Sequence, residues 1–248
     1  MTPVEIERVK VERLTQVKPS TVNREVGFLK HVFNVAIRDD KTDHNPVSKV
    51  RMLKEPSGRV RYLSDAEEMR LMSVLTTESE CERIRFLVQT GLRKSEFANL
   101  RWKDLDMKAG VITIPRSKNG ETRHVPMTSV VRSILGRMPR PIDPSVLVFP
   151  STEGTPHTHW AEKAFPEAIR AAHIGDFRFH DLRHTFASRL AMEGVDLLTI
   201  KELGGWKTLS MVQRYAHLSP SHRNHAIERL VTRKVETQVP VSESGVAL

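Results

Sequence analysis

The sequence predicts a mainly helical protein that contains a small antiparallel β-hairpin, an α+β fold. Three observations support this prediction. Apolar residues between Val22 and Ile37 recur at the spacing of one helical face. At Val111–Ile114 the pattern changes to a short run of β-branched residues, which predicts a strand, and a second strand is predicted at 123–125. Asn119-Gly120 between the two strands favours a tight type I′ turn. The two strands are therefore expected to form a hairpin among the helices.

Residues 1–57 are predicted to form a short helical domain. Ser20 is the expected N-cap of the amphipathic helix at 20–38, because it follows Lys18-Pro19, which interrupts the preceding segment. Asn45-Pro46 indicates a turn, and the stretch at 54–58 has the composition of a linker. Fifty-odd residues bury little surface alone, so this domain is marginal by itself.

Residues 58–234 are predicted to form the second, larger domain. Ser64 and Glu67 form a capping box at the start of its first helix, and Gly91 ends the helix at 79–90. A short helix follows at 94–100, before the hairpin. Further helices are expected at 128–137, 159–173, 180–193, 196–203, 208–217 and 221–232. The polar tail 235–248 is predicted to be disordered.

The composition narrows the class of protein. Thirty-nine Lys and Arg against 30 Asp and Glu give a net charge of +9, which favours a polyanionic partner such as nucleic acid. No apolar run is long enough for a membrane span, and the N-terminal residues lack the apolar core of a secretory signal. The single cysteine, Cys81, cannot form an internal disulfide. A cytoplasmic location is therefore expected, with no membrane partner.

Two short polar patches lie on either side of the first strand. Glu96 follows Arg93 at the spacing that holds a guanidinium or caps a helix, although an ordinary surface ion pair explains the same spacing. Lys118 is at the tip of the hairpin, where lysine is common without any function.

Two further patches lie in the C-terminal part. His180, Arg183 and His184 share one side of a helix and are expected to border its buried face. A solvated helix face is the simpler interpretation of that patch. Trp206 follows two glycines, and Tyr215 is one of only two tyrosines. Taken alone, each of these aromatic residues is more typical of core packing than of catalysis.

Together the patches suit attack by a tyrosine on a phosphodiester. Two arginines would hold the non-bridging oxygens with permanently charged donors, and a histidine and an indole N–H would add hydrogen bonds. A lysine on the hairpin would protonate the leaving 5′-oxygen. The guanidinium groups replace the charge of a metal ion, and the sequence offers no evident ligand set for one.

In order and spacing these residues resemble the tyrosine recombinase (phage integrase) family, over about residues 63–218. The family motif T-G-L-R-x-x-E matches Arg93 and Glu96, and the hairpin lysine matches Lys118, with Arg123 downstream. The H-x-L-R-H and Y-x-H motifs match too, and tryptophan stands where the family usually has the histidine of L-G-H. The resemblance implies the catalytic residues Arg93, Lys118, His180, Arg183, Trp206 and Tyr215, supported by Glu96 and His184.

The resemblance also implies a function. A tyrosine recombinase catalytic domain preceded by part of a helical core-binding domain would bind double-stranded DNA at two recombination sites. Tyr215 would form a 3′-phosphotyrosyl link and release a 5′-hydroxyl, without ATP, metal or any other cofactor. The expected assembly on DNA is a homotetramer, and the need for an accessory DNA-bending protein stays open. Residues 1–57 are shorter than a whole core-binding domain.

Three other functions are compatible with parts of this pattern. A type IB topoisomerase uses the same phosphotyrosine chemistry but rejoins the original strand. A catalytically idle DNA-binding protein would keep the fold, although such a module has no use for the complete residue set. A metal-dependent hydrolase would draw on the 11 histidines, but the sequence has no HExxH motif.

Overall fold

The computed structural model describes residues 1–55, 59–115, 122–151 and 153–219. The chain divides into two compact units, Met1–Arg59 and Val60–Leu248. Among the helices of the described ranges, none has the length and apolar character needed to cross a membrane.

The first unit is built on two helices, α1 (Pro3–Leu14) and α2 (Pro19–Arg38). The prediction that Ser20 caps α2 is wrong, because Lys18 is the N-cap and Pro19 is the first helical residue. Proline is suited to that position, since its fixed φ is helical and its missing N–H has no acceptor there. Asn45 forms the predicted turn by accepting from the backbone N–H of Val47 at 2.9 Å. A 3₁₀ helix follows (Pro46–Lys49), and the core of the unit comprises Ile6, Val22, Val26 and Val47.

The second unit opens with helices whose ends follow the predicted caps. In α3 (Asp65–Val74) both halves of the capping box between Ser64 and Glu67 are formed. The helix α4 (Glu78–Thr90) ends at Gly91, which has φ +61°, as predicted. The remaining helices are α5 (Lys94–Ala98), α6 (Ser129–Arg137), α7 (Phe165–Ala171), α8 (Asp181–Met192) and α9 (Leu197–Gly204).

The antiparallel sheet has three strands in the order β1 (Leu105–Asp106), β2 (Val111–Ile114) and β3 (Arg123–Pro126). The pairing of β2 with β3 confirms the predicted hairpin, with Ile112 opposite Val125 and both side chains buried. The sequence did not predict β1, because two residues are too few to show an alternating pattern. The Asn119-Gly120 turn lies outside the described residues.

Residues 159–173 do not form one regular helix, contrary to prediction. A π-helical turn (Trp160–Ala164) comes first, in which the Phe165 N–H donates to the Trp160 carbonyl five residues back, and α7 follows. Pro166 explains the irregularity, since proline lacks an N–H and its ring collides with the carbonyl four residues earlier in a regular helix.

The predicted helix at 208–217 is also wrong in type. Two 3₁₀ helices occupy this segment, Leu209–Met211 and Gln213–Leu218. The apolar residues Val212, Tyr215 and Leu218 recur every third residue, which is the period of a 3₁₀ helix. The helix predicted at 221–232 and the tail 235–248 lie outside the described residues.

The second unit contains two apolar clusters. The larger joins α4, α6 and the sheet, and its aromatic centre includes Phe97 stacked on Phe149 at 4.7 Å between ring centroids. The smaller comprises Ala187, Ala191, Ile200, Val212 and Tyr215, and so packs the last 3₁₀ helix against α8 and α9. Every polar site residue predicted in the described ranges belongs to this unit.

Candidate active site

Arg183 is the most deeply buried charged residue of the site, with 2% of its surface exposed. Its guanidinium donates to the carbonyl of Gly91 at 2.6 Å and to that of Gly204 at 2.5 Å. The expectation that it borders the buried face of α8 is therefore wrong. Burial, with the like charges of Arg93 and Arg123, lowers its pKa to about 9.

Trp206 covers the face of this guanidinium. The Arg183 Cζ lies 4.0 Å from the centre of the indole ring, a cation–π contact. Gly204 also packs closely against the indole ring. A larger residue does not fit there, because a Cβ at this position would lie 1.8 Å from the ring. The indole also meets the Tyr215 ring edge-on at 5.9 Å between centroids. Trp206 thus packs between one candidate phosphate ligand and the candidate nucleophile.

Glu96 holds two arginines at once. Its Oε1 accepts from Arg93 at 2.6 Å, while both oxygens accept from Arg123 at 2.9 and 2.7 Å. Its Oε2 also accepts from the Arg93 backbone N–H at 2.8 Å, so both predicted roles of Glu96 are confirmed. The surface ion pair alternative is wrong, since only 11% of the Glu96 side chain is exposed. Burial favours the neutral acid, but the bonds from Arg123 and Arg93 outweigh it and hold the pKa near 2.

Gly205 joins Arg93 to the end of α9. The Arg93 guanidinium donates to the Gly205 carbonyl at 2.7 Å. Gly205 has φ +67°, and a Cβ there would lie 2.6 Å from the Arg123 Cδ. Glycine is therefore required both by the backbone conformation and by the close approach of Arg123. The packing of Arg123 against Gly205 thus helps to position the Gly205 carbonyl, which accepts from Arg93.

The Tyr215 hydroxyl lies 2.5 Å from Nδ1 of His184. The tyrosine is fully buried, and burial raises its pKa to about 12. Burial and the nearby His180 ring lower the pKa of His184 to about 4. At neutral pH the imidazole is therefore uncharged, and its tautomer with the proton on Nε2 leaves Nδ1 able to accept a hydrogen bond from the phenol.

His180 stands beside this pair, with its ring centroid 5.2 Å from that of His184. Partial burial and the charge of Arg183 lower its pKa. Lys118 lies outside the described residues, so the structure gives no position for it. His217 is exposed, two residues beyond the tyrosine. Within the described residues the remaining predicted side chains converge from four separate segments of the chain.

Sequence reasoning missed the backbone acceptors. The carbonyls of Gly91, Gly204 and Gly205 orient the two arginines, but carbonyl groups leave no signature in a sequence. The role of Arg123 as a second partner of Glu96 was also missed. Its five-residue distance from Lys118 was the available signal, because it places Arg123 on the strand that leads back to the site.

The arrangement suits an anion. Two guanidinium groups, those of Arg93 and Arg123, contact the Glu96 carboxylate, and the charge of Arg183 lies near enough to interact with all three. The mutual repulsion of the arginines is relieved when a negative charge binds between them. Within the described ranges no group of three or more His, Cys, Asp or Glu side chains is placed to hold a metal ion. Fixed donors of this kind stabilise the charge that develops on phosphate oxygens during displacement at phosphorus.

The sequence matches the model of the phage integrase family over residues 61–222, and the chain belongs to this family of tyrosine recombinases. It is 33% identical to the integrase of Salmonella phage P22 over 79% of its length. It is 30% identical to the shufflon-specific DNA recombinase of Escherichia coli over 96% of its length. The chain spans 54% of the first relative and 62% of the second.

Solved structures share the fold. The catalytic domain of bacteriophage HP1 integrase is 27% identical, with a TM-score of 0.55 over 68% of this chain and 95% of that domain. The Tn1549 transposon integrase in complex with a circular intermediate DNA is 23% identical, with a TM-score of 0.73 over 92% of this chain and 85% of that one. The predicted fold class, a mainly helical recombinase catalytic domain with a small sheet, is confirmed.

Proposed function

We propose that this chain is the catalytic part of a site-specific DNA recombinase that breaks and rejoins strands through a 3′-phosphotyrosyl intermediate. One observation carries the proposal. Tyr215, bonded to the neutral His184, packs against Trp206, which lies on the doubly anchored guanidinium of Arg183. The names of the relatives, integrase and shufflon-specific recombinase, favour strand exchange over simple nicking.

Arg93 and Arg183 are the proposed ligands of the scissile phosphate. Each guanidinium has five N–H donors, and the bonds to carbonyls and Glu96 use only some of them. The bonds made to the protein fix the orientation of each group before DNA binds, so little reorganisation accompanies the reaction. His180 and the indole N–H of Trp206 are the proposed additional donors to the phosphate oxygens.

The proton transfers in the proposed cleavage step are balanced. The phenolic oxygen of Tyr215 bonds to phosphorus, and its proton passes to Nδ1 of His184. The bond from phosphorus to the 5′-oxygen breaks, and Lys118 donates the proton that makes the leaving group a hydroxyl. Rejoining reverses these transfers with the 5′-hydroxyl of a partner strand. The bond energy stays in the phosphotyrosine, so no ATP is consumed.

Burial of Tyr215 implies that its segment moves before attack. The hydroxyl is enclosed in this structure, whereas a nucleophile needs an open line to phosphorus. The residue lies on a 3₁₀ helix, whose hydrogen bonds are poorer than those of an α-helix, so repositioning this segment costs less than unfolding a regular helix. DNA binding is the proposed trigger for that movement.

The partners belong to the same proposal. Double-stranded DNA with two recombination sites is the substrate, and four copies of the chain act on it. Residues 1–57, with 11 basic and eight acidic residues, contribute to DNA binding as part of a core-binding domain. Residues 58–234 form the catalytic domain.

A nicked suicide duplex tests the proposal. Cleavage next to the nick releases a short fragment and leaves the protein linked to DNA, and this adduct is expected to resist denaturant and EDTA. Tyr215→Phe is expected to abolish the adduct and to leave non-covalent DNA binding nearly unchanged. A persistent adduct in this variant would refute the assignment of the nucleophile. Two-site plasmids separate recombinase from topoisomerase, since relaxation without exchanged products indicates the latter.

A further inference from the structure

A cavity of about 360 Å³ adjoins the proposed site of the scissile phosphate. Arg93 and His180 form part of its wall, so the cavity is next to the candidate active site. Every side chain that lines it is polar or charged, the others being Lys94, Ser95, Asn99 and Thr158. None of these four residues takes part in the proposed chemistry.

We infer that this cavity binds a second phosphate of the cleaved strand, the phosphodiester next to the scissile one, and that Lys94 is its principal ligand. The inference rests on the proposed function, because it takes the scissile phosphate to lie at Arg93. Neighbouring phosphates of one strand are separated by about 3.4 Å along the duplex axis. Lys94 directly follows Arg93, and both residues line this cavity. The two long cationic side chains can therefore contact successive phosphates of one strand.

Glu162 is the partner of the Lys94 ammonium in the absence of DNA. Its carboxylate lies 2.5 Å from the Lys94 ammonium and accepts a hydrogen bond from it. The pair is exposed, at 39% for the lysine side chain and 60% for the glutamate. Exposed pairs of this kind contribute little to stability, so a phosphate displaces the carboxylate at low cost.

The contrast with the other cations of the site supports this exchange. Arg93 is held by Glu96 and a backbone carbonyl, and Arg183 is held by two carbonyls, so both keep their orientation when DNA binds. Among the described residues, the hydrogen-bond partner found for the Lys94 ammonium is the exposed Glu162. A flexible point charge with an exchangeable partner is suited to a backbone phosphate.

Salt-dependent binding of a fluorescent 24-base-pair duplex of arbitrary sequence, measured by anisotropy on the full chain, tests the inference. Lys94→Gln removes one phosphate contact. It is expected to reduce the slope of log affinity against log salt by about 0.9, which corresponds to about eightfold weaker binding at 0.1 M salt. Glu162→Gln removes the competing carboxylate and is expected to tighten binding about two- to fivefold. In the Lys94→Gln background, Glu162→Gln is expected to lose most of this gain.

Two neighbouring residues provide matched controls. Lys163→Gln and Glu167→Gln make the same charge changes at exposed positions outside the Lys94–Glu162 pair. A control pair with the same effects as the Lys94 and Glu162 variants would overturn the inference, because net charge alone would then explain them. An unchanged salt slope in Lys94→Gln, or weaker binding by Glu162→Gln, would also overturn it. Failure of the wild-type chain to form the suicide-substrate adduct would instead refute the proposed function, so the two failures are distinguishable.

Discussion

Replacement of Glu96 by glutamine tests the network that orients Arg93. The bonds from Arg123 and Arg93 move the pKa of this carboxyl from the ordinary 4.5 to about 2. At 1.36 kcal/mol for each tenfold change in proton affinity, the ionised carboxylate contributes about 3 kcal/mol to the free energy of unfolding at pH 7. Glu96→Gln keeps the shape but loses this contribution. With an m-value of about 2–3 kcal/mol per molar urea, the unfolding midpoint is expected to fall by about 1 M or more.

The direction of the Glu96 pKa shift determines how this stabilisation depends on pH. Because the folded state lowers the pKa, the stabilisation is fully present above about pH 5 and is lost as the pH falls from 4.5 through 2. The difference between wild type and variant is therefore expected to be roughly half as large at pH 3 as at pH 7. Tryptophan fluorescence is a suitable signal, since all three tryptophans (Trp102, Trp160 and Trp206) belong to the second unit.

The exposed Glu162 is the matched control, and Glu162→Gln is expected to leave the urea midpoint nearly unchanged. Equal midpoints for wild type and Glu96→Gln at pH 7 would refute the reasoning. So would a difference that keeps the same size at pH 3, because it would arise from packing instead of from the ionised carboxylate.

Three further predictions concern the surroundings of the tyrosine. Arg183→Lys is expected to slow adduct formation on the suicide duplex at least about 100-fold, because a single ammonium cannot bond both glycine carbonyls and also bind a phosphate. A rate within threefold of wild type would contradict this. Gly205→Ala is expected to lower the free energy of unfolding by about 1–2 kcal/mol or more in a thermal melt, since it forces a Cβ into a left-handed conformation against Arg123, whereas an unchanged Tm would argue against that crowding. The folded state lowers the pKa of His184 to about 4, so the wild type is expected to lose stability as the pH falls from about 6.5 to 4. The variant His184→Asn is expected to avoid about 3 kcal/mol of that loss. Parallel profiles of stability against pH for the two proteins would contradict the burial of a neutral imidazole.

The sequence predicted those parts of the fold in which local chemistry decides the structure. The capping box at Ser64, the left-handed Gly91 and the β2–β3 pairing each depend on residues close together in the chain, and all three were predicted. The two incorrect helices have local causes that a helical period does not display. Pro166 widens one turn into a π-helix, and a three-residue apolar repeat at Val212–Leu218 selects 3₁₀ geometry.

The site shows a sharper division between what was predictable and what was not. Residue types in a motif identified Arg93, Arg183 and Tyr215, but not their environment. Arg183 was expected beside the core and is buried within it, because its partners are carbonyls of Gly91 and Gly204 from distant turns. The core interpretation of Tyr215 proved compatible with the functional one, since the residue is fully buried while its hydroxyl bonds to His184.

The identity of the residue that becomes linked to DNA tests the central claim most directly. The chain has only two tyrosines, and trypsin is expected to release them on separate peptides, 62–70 and 215–223. After trapping on the suicide duplex and nuclease digestion, mass spectrometry is expected to find the residual 3′-phosphonucleotide on the 215–223 peptide, at Tyr215. Its presence on the Tyr62 peptide, or on a serine or histidine elsewhere, would contradict the account.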